Sequence, residues 1–553
     1  MKKYYVLIGL VAFVVYFQVL FFGFTYLDDN TLLLDNAAVY GNVDNAFRVF
    51  TTDFMAPVSG GFYYRPLLAL SLIFNAKIAG TSAFLYHLTD VLLHVVAVLL
   101  VFKFFQTLGY KIKSALVASL IFAVHPALTQ TVAWIPARND TLATIFALAA
   151  FIAFHEFLTK KHWKYLAWHL VAFFLALLSK ENTVLLPILC VFYAVFMLGQ
   201  RRLSWSQFAI TGGWFTLTLA WYLLRSHTIA GAHFYTLGQS LKSMFENING
   251  LLIGIGKMIL PVNLSNYPVP QDASLLFGTI AVLILAGFVA LSRPKRWSYL
   301  LFGLGWLLLF FLPGLVRPES AKVELLEHRI YLPIIGIFIL LLETNFMRKF
   351  DIARKIYTVP AGAVIIAFAV LNITHAHSFR DGFSYWEQAT RTSPHSAFAR
   401  NQMGAMAYLG KDLDRAAAEY TKAIELNPDE PLVHNNLGLV YAEQDKLAEA
   451  ENEYKKELEV NPNYNKTHFN LGFLYARQKR FVEAESEWQA TLKANPFHFD
   501  SHLNLLAYYY ENRDYAKALA QLTAYAAAGG PVNSTLQQIY QELSTKAAKQ
   551  PGN

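Results

Sequence analysis

Long apolar runs, with lysine and arginine clustered at every second junction between them, constrain this chain more than any other feature. A helix crossing a bilayer needs about 20 predominantly apolar residues. Eleven runs meet or approach that length, near 4–24, 86–106, 115–133, 141–158, 165–178, 184–200, 207–224, 276–292, 298–316, 330–346 and 357–374. The basic junctions hold Lys2 and Lys3, Lys111 and Lys113, Lys160, Lys161 and Lys164, Arg201 and Arg202, Arg293, Lys295 and Arg296, and Arg348, Lys349, Arg354 and Lys355. Positively charged loops stay in the cytoplasm, so these junctions are expected inside and the others outside.

Composition agrees. The chain of 553 residues is 55% hydrophobic and 15% charged, where a soluble protein carries about 25% charge. Its net charge of +8 is concentrated in the junctions, which points to membrane orientation and not to nucleic acid. The single cysteine, Cys190, leaves no intrachain disulfide and no cysteine-rich metal site. The first run is too long for a signal peptide and lacks a small-x-small cleavage site, so a retained first span is expected. Two apolar stretches are short. Residues 248–260, holding Lys257, are expected to be re-entrant or interfacial; residues 66–80 are expected on the membrane surface, inside a large first outer loop (25–85).

The pattern changes after residue 390. Prolines recur at 394, 428, 462 and 496, glycines at 404, 438 and 472, alanines at 416, 450, 484 and 518, and aromatics at 420, 454 and 488. That period of 34 is the tetratricopeptide pattern. Three repeats (397–430, 431–464, 465–498) and a degenerate fourth (499–532) are expected, with a tail at 533–553. Residues 1–376 then form the membrane domain and 377–396 a linker. With eleven spans and the N-terminus inside, the repeats lie outside the cytoplasm. The fold class is all-α: a polytopic bundle followed by an α-solenoid.

Polar residues collect on the outer side. The first outer loop holds Asp28, Asp29 and Arg65; the second holds His125, Arg138 and Asp140; the third holds Lys180 and Glu181; a later one holds Glu327, His328 and Arg329. Ionisable groups at membrane depth are functional candidates by default. Arginine presents a planar fork to phosphate and lysine a point charge. A carboxylate suits a general base for a hydroxyl nucleophile. Each also has a plain structural reading: a helix terminus for the aspartates, snorkelling for Arg65 and Arg138, packing for His125, an ion pair for Lys180 and Glu181. No glycine-rich phosphate loop, zinc spacing or nucleophile elbow is present.

The order "LDD", "YYRPL", "HPALTQTVAWIPARNDTLA", "SKEN", "EHRIYLP" and then the repeats resembles the transmembrane and tetratricopeptide-repeat O-mannosyltransferases and their bacterial relatives, of the GT-C class. The resemblance covers almost the whole chain. It implies a polyprenyl-phosphate sugar donor and transfer of mannose or another hexose to Ser/Thr hydroxyls. It implies Asp28 or Asp29 as the base, with Asp28 favoured. Arg138 and Asp140 match the family's "GRAD" element, with Ala137 in place of its glycine, and Lys180 and Glu181 match its "KE" element. Glu327 matches the acid of the late element, where His328 replaces an arginine and Arg329 stands one residue later.

The reading that follows is transfer with inversion. Arg65, Arg138, Lys180, His328 and Arg329 hold the donor phosphate. His125, Asp140, Glu181 and Glu327 support them. An acceptor polypeptide binds the concave face of the repeats. No cofactor is required; Mg or Mn between Asp29 and Asp140 is the alternative. The rivals are a GT-C transferase acting on a lipid or glycan, and a non-enzymatic membrane-anchored scaffold. The expected location is a bacterial inner membrane with periplasmic repeats, or the endoplasmic reticulum with lumenal ones.

Overall fold

The computed structural model describes residues 1–54, 63–200, 205–229, 236–316 and 327–549. Arg201 and Arg202 lie outside them. The chain divides into two compact units, Met1–Pro394 and His395–Asn553. Among the described residues the regular secondary structure is helical throughout.

Among the described residues of the first unit, four helices are long and apolar enough to cross a membrane: Ala83–Thr107, Ile135–Lys160, Trp297–Leu315 and Lys355–Phe379. A fifth candidate is a bent pair, Ile112–Ala123 and Pro126–Ala133, meeting at 55°. The bend has a local cause. Pro126 cannot donate to the helix ladder, and the residue before a proline is driven out of the helical region; His125 accordingly sits at φ −67°, ψ 121°. Several other expected runs form shorter apolar helices, including Trp163–Ser179, Glu181–Met197 and Leu275–Leu291. The run at 330–346 shortens to Ile334–Leu342 behind Pro333. Where eleven spans are expected, the described residues thus hold a mixture of long, bent and short apolar helices.

Both short stretches singled out in the sequence are helical. Pro66–Ala79 buries Leu68, Leu72, Ile73 and Asn75 against the unit, so it is more deeply seated than a surface helix. Asn249–Ile259 packs its Gly256 against Gly278 of Leu275–Leu291. A Cβ on Gly278 would stand 2.1 Å from the Leu252 carbonyl oxygen, so the two backbones are in direct contact. Small residues permit that approach between helices in a bilayer, where packing and not water drives association.

The basic junctions meet one another. Lys113 pairs with Asp351 at 3.2 Å, and Glu343 binds both Arg296 and Arg348. Tyr299 caps the far end of Ala83–Thr107 by donating to Leu108 O at 3.0 Å. Asp90, which binds Arg138, is near the helix's other end. Asp90 and Leu108 are 18 residues apart, roughly 27 Å along the helix at a rise of about 1.5 Å per residue.

Residues 377–396, expected to be a linker, contain the helix Gly382–Thr392 with Tyr385 and Trp386 fully buried.

The second unit is a stack of helix pairs, 397–409 with 413–426, 433–443 with 447–460, 465–477 with 481–494, and 499–511 with 515–527. The aromatics face the glycines. A Cβ on Gly404 or Gly438 would lie 2.6 Å from the ring of Tyr420 or Tyr454, and one on Gly472 2.8 Å from Trp488. The fourth repeat replaces this pair with Leu506 and Leu522, both buried. The expected tail contributes one more helix, Ser534–Ala547, whose fully buried Leu543 closes the core behind the last repeat. A solenoid end needs such a cap.

Candidate active site

Four charged groups from three separate loops come together in the first unit. Arg65 ends the first loop, where Pro66 starts a helix; Asp140 stands in the first turn of Arg138–Lys160; Lys180 and Glu181 follow the helix Trp163–Ser179. Lys180 Nζ donates to Asp140 Oδ1 at 2.6 Å, and Arg65 Nη2 to Glu181 Oε1 at 3.4 Å. Tyr63 lies under the guanidinium, 4.1 Å from its ring centre. Asn139 accepts from Arg65 Nη1 at 3.1 Å and donates to Pro136 O at 2.8 Å. Arg65 Nε is buried without a hydrogen-bond partner among the described residues.

The electrostatics follow from this packing. Burial pushes the Lys180 ammonium below its ordinary value, against the attraction of Asp140. Burial also disfavours the charge on Glu181, but Arg65 and Lys180 outweigh it and hold the carboxyl below its usual range. Glu181 in turn keeps Arg65 charged despite its burial.

A second cluster surrounds Glu327. Its Oε1 accepts from Lys257 Nζ at 2.7 Å and from Ser265 N at 2.9 Å, and Oε2 lies 3.3 Å from His375 Nε2. Burial alone would raise the Glu327 carboxyl; Lys257 and His375 prevail and hold it at about 2. Lys257, Glu327 and Arg329 border a small pocket whose other walls are largely apolar, from Ile253, Phe311, Leu315 and Ile330. Arg329 Nη1 donates to Gly314 O at 3.0 Å. His328 is buried beside Trp134, ring centres 5.3 Å apart, and its backbone N–H donates to Gln130 at 3.0 Å.

Two expected site residues, Arg138 and His125, have other partners. Arg138 is fully buried. Its Nε donates to Asp90 at 2.5 Å, Nη1 to Ser71 at 3.0 Å and Asn75 at 2.7 Å, and Nη2 to Tyr86 O at 2.9 Å. Its fork is filled by the protein and pins Pro66–Ala79 to two long helices, so the expectation that it meets a donor phosphate is corrected. His125 places Nε2 on Met258 O at 3.1 Å and accepts from Ala127 N at 3.3 Å, which ties the proline bend to Asn249–Ile259.

Asp29 is buried and holds its own loop. Oδ2 accepts from Thr25 N at 2.7 Å and Thr25 Oγ1 at 3.1 Å; Oδ1 accepts from Tyr26 N at 2.8 Å and Asn30 N at 3.1 Å. Burial pushes its carboxyl upward even against these donors. Asp28 is half-buried beside it. The two neighbours therefore differ: one fixes the turn, and the other stands at the more accessible position.

For a metal bridging Asp29 and Asp140, both carboxylates already have donors. Among the described residues no group of three His, Cys, Asp or Glu converges.

Sequence reading missed Lys257 and Asp90. Lys257 is the lone charge of 248–260 and Asp90 the lone acid of 86–106, which was the available signal. It gave no warning of His375 and Ser265, which only the packing brings to Glu327.

Residues 65–224 match the family described as dolichyl-phosphate-mannose-protein mannosyltransferase. Residues 404–445, 435–489 and 469–533 match tetratricopeptide repeat families. The chain thus carries a segment similar to that mannosyltransferase family, followed by segments similar to tetratricopeptide repeats. The family match spans Arg65, Asp140, Lys180 and Glu181, and it bears out the resemblance drawn from motif order. The protein O-mannosyl-transferase Tmtc1 of Drosophila melanogaster is 34% identical over 183 residues, 32% of this chain and 21% of that protein. Human TMTC3, also a protein O-mannosyl-transferase, is 29% identical over 204 residues, 36% of this chain and 22% of that protein. The matched part thus spans about a fifth of these curated relatives. Among solved structures, YrrB, a TPR protein with an unusual peptide-binding site, is 19% identical, covering 32% of this chain and 90% of its own, at a TM-score of 0.25.

Proposed function

We propose that this membrane protein transfers a hexose, mannose in the first instance, from a polyprenyl-phosphate donor to Ser/Thr hydroxyls of exported polypeptides, with inversion at the anomeric carbon. The observation that carries this reading is the convergence of Arg65, Asp140, Lys180 and Glu181 from three separate loops, within the segment that matches the mannosyltransferase family. Ionisable groups gathered in that way inside a membrane protein are costly unless used.

The donor phosphate is assigned to Arg329 and Lys257. They contribute two cations against the one carboxylate of Glu327, beside a small pocket whose other walls are largely apolar. Arg65 and Lys180 each already face a carboxylate, so they suit the sugar and the acceptor side, where the Arg65 Nε–H is available to a hydroxyl or phosphate oxygen. Asp28 removes the proton from the acceptor hydroxyl as that oxygen attacks C1. The C1–phosphate bond breaks on the opposite face, and the polyprenyl phosphate leaves with the bonding pair, stabilised by the cations. Asp29 keeps the loop that presents Asp28. The relatives' names speak for a protein acceptor, and the catalytic loops and repeats face the periplasm or lumen.

The test is a purified assay with synthetic polyprenyl-phosphate mannose and a Ser/Thr peptide, read by mass spectrometry. Asp28→Asn is expected to lower turnover about 10²-fold or more. Arg329→Ala is expected to act mainly on the donor's KM. Full turnover by Asp28→Asn would remove it as the base.

A further inference from the structure

The helix Leu237–Glu246 buries none of its ten residues against the described part of the protein. At about 100° per residue, Leu237, Leu241 and Phe245 fall within roughly 80° of its circumference, and they are 77%, 42% and 67% exposed. Gln239, Lys242, Ser243 and Glu246 take the opposite side. The helix is nonetheless well formed. Thr236 Oγ1 accepts from Gln239 N at 3.2 Å, and Gln239 Oε1 accepts from Thr236 N at 2.9 Å. That reciprocal pair satisfies two donors at a helix start without help from tertiary packing.

Length and charge exclude a span. Ten residues reach about 15 Å, half of the roughly 30 Å of hydrocarbon in a bilayer, and one whole side is polar. A fully wetted position is no better, because three large apolar side chains on one face would then all meet water. The contacts of the helix fix its depth. Just past its end, Asn247 Nδ2 donates to Leu315 O at 3.2 Å. Leu315 is the last residue of the candidate span Trp297–Leu315, so the helix sits where that span leaves the hydrocarbon. Pro66–Ala79, expected on the membrane surface, instead buries seven of its residues.

We infer that Leu237–Glu246 lies in the surface of the bilayer, with Leu237, Leu241 and Phe245 among the acyl chains and Lys242 and Glu246 toward water. A short helix with one apolar and one charged face is stable in that setting. Its place gives it a further use, which rests on the proposed lipid-linked donor. Two residues, Asn247 and Ile248, separate it from Asn249–Ile259, and that helix brings Gly250, Ile253, Gly254 and Lys257 to the small pocket shared with Leu315, Glu327 and Arg329. The helix therefore marks the side from which a polyprenyl phosphate reaches these cations. The prenyl chain stays in the bilayer along Leu241 and Phe245, while the phosphate alone enters the pocket.

The experiment uses the full chain in phosphatidylglycerol–phosphatidylcholine nanodiscs. Cys190 is the chain's single cysteine and is buried, so a nitroxide can be attached at one introduced cysteine at a time: Leu241→Cys, Phe245→Cys, Lys242→Cys or Glu246→Cys. Collision with oxygen, which concentrates in hydrocarbon, is compared with collision with a water-soluble nickel chelate. Labels at 241 and 245 are expected to favour oxygen and those at 242 and 246 nickel. Nickel preference at all four positions overturns the proposal, as does exclusion of both reagents at 241 and 245, which would mean that protein covers this face. The labels need no catalysis, so this result stands or falls even if the parent protein transfers no sugar. For the donor's route, Leu241→Gln combined with Phe245→Gln is expected to raise the KM of a long-chain polyprenyl-phosphate mannose about tenfold at unchanged kcat. A short-chain, water-soluble donor is expected to keep its KM. An equal rise for both donors, or none for either, overturns the assigned route.

Discussion

The two units solve the same problem, placing polar groups among helices, in opposite ways. In the repeat unit the polar contacts are short-range and periodic: His434 meets Glu453 and His468 meets Glu487, 19 residues apart each time. In the membrane unit the contacts at the candidate site are long-range. Arg65 meets Glu181 across 116 residues, and Lys257 meets Glu327 across 70. A solenoid repeats one local solution, so a single repeat contains most of what it needs. A bilayer offers no water to a charged group, so each must find its partner wherever the packed chain supplies one.

The largest expected effect sharpens the membrane side of that contrast. Arg138→Ala leaves Asp90 charged and buried without its partner, and about 3–5 kcal/mol of stability is expected to be lost. Thermal inactivation in detergent reads it. Arg138→Met together with Asp90→Leu is expected to recover most of that loss; a single variant as stable as the parent would break the assignment of Arg138 as a pin.

Asp29→Asn comes next. An amide retains one acceptor oxygen where the carboxylate has two, so two of the four bonds to Thr25, Tyr26 and Asn30 are lost. A cost of about 1–3 kcal/mol is expected, with turnover reduced far less than by Asp28→Asn. Equal loss of turnover in both variants would erase the distinction between base and support.

In the repeats, Gly438→Ala places a Cβ 2.6 Å from Tyr454 and is expected to destabilise by about 1–3 kcal/mol through overpacking. Leu506→Ala, at the corresponding position of the fourth repeat, acts in the reverse sense by opening a cavity. Equal tolerance of both would show that the Gly–aromatic and Leu–Leu pairs are not alternative fillings of one space.

The smallest effect is a pH dependence. Glu487 raises the His468 pKa above its ordinary value, 6.5, against the opposing effect of partial burial. That contribution is complete below the unfolded value and fades as pH rises through the higher folded one. The thermal midpoint of the repeats is expected to fall from about pH 6.5 upward, and His468→Gln to flatten that slope; an unchanged slope would place the dependence on another group.

Much of this was legible in the residues. Run lengths marked the apolar helices, and the 34-residue period marked each glycine, alanine and aromatic that the repeats pack. Motif order placed Arg65, Asp140, Lys180 and Glu181 in one family segment, and they do meet. What was not legible is who binds whom. Arg138 and Arg329 read alike as cations near an outer face. One has its fork filled by Asp90, Ser71, Asn75 and Tyr86, and the other borders a cavity. Asp28 and Asp29 are neighbours with the same side chain, and only the fold of the 25–30 loop turns one of them onto four donors.

By itself, then, the sequence determined the helices, their apolar faces, the repeat and the identity of the charged groups, because periodicity and hydropathy act locally along the chain. Tertiary structure alone decided which charges are satisfied and which stand beside a cavity, because in a low-dielectric interior each polar group is set by the partner that packing brings to it.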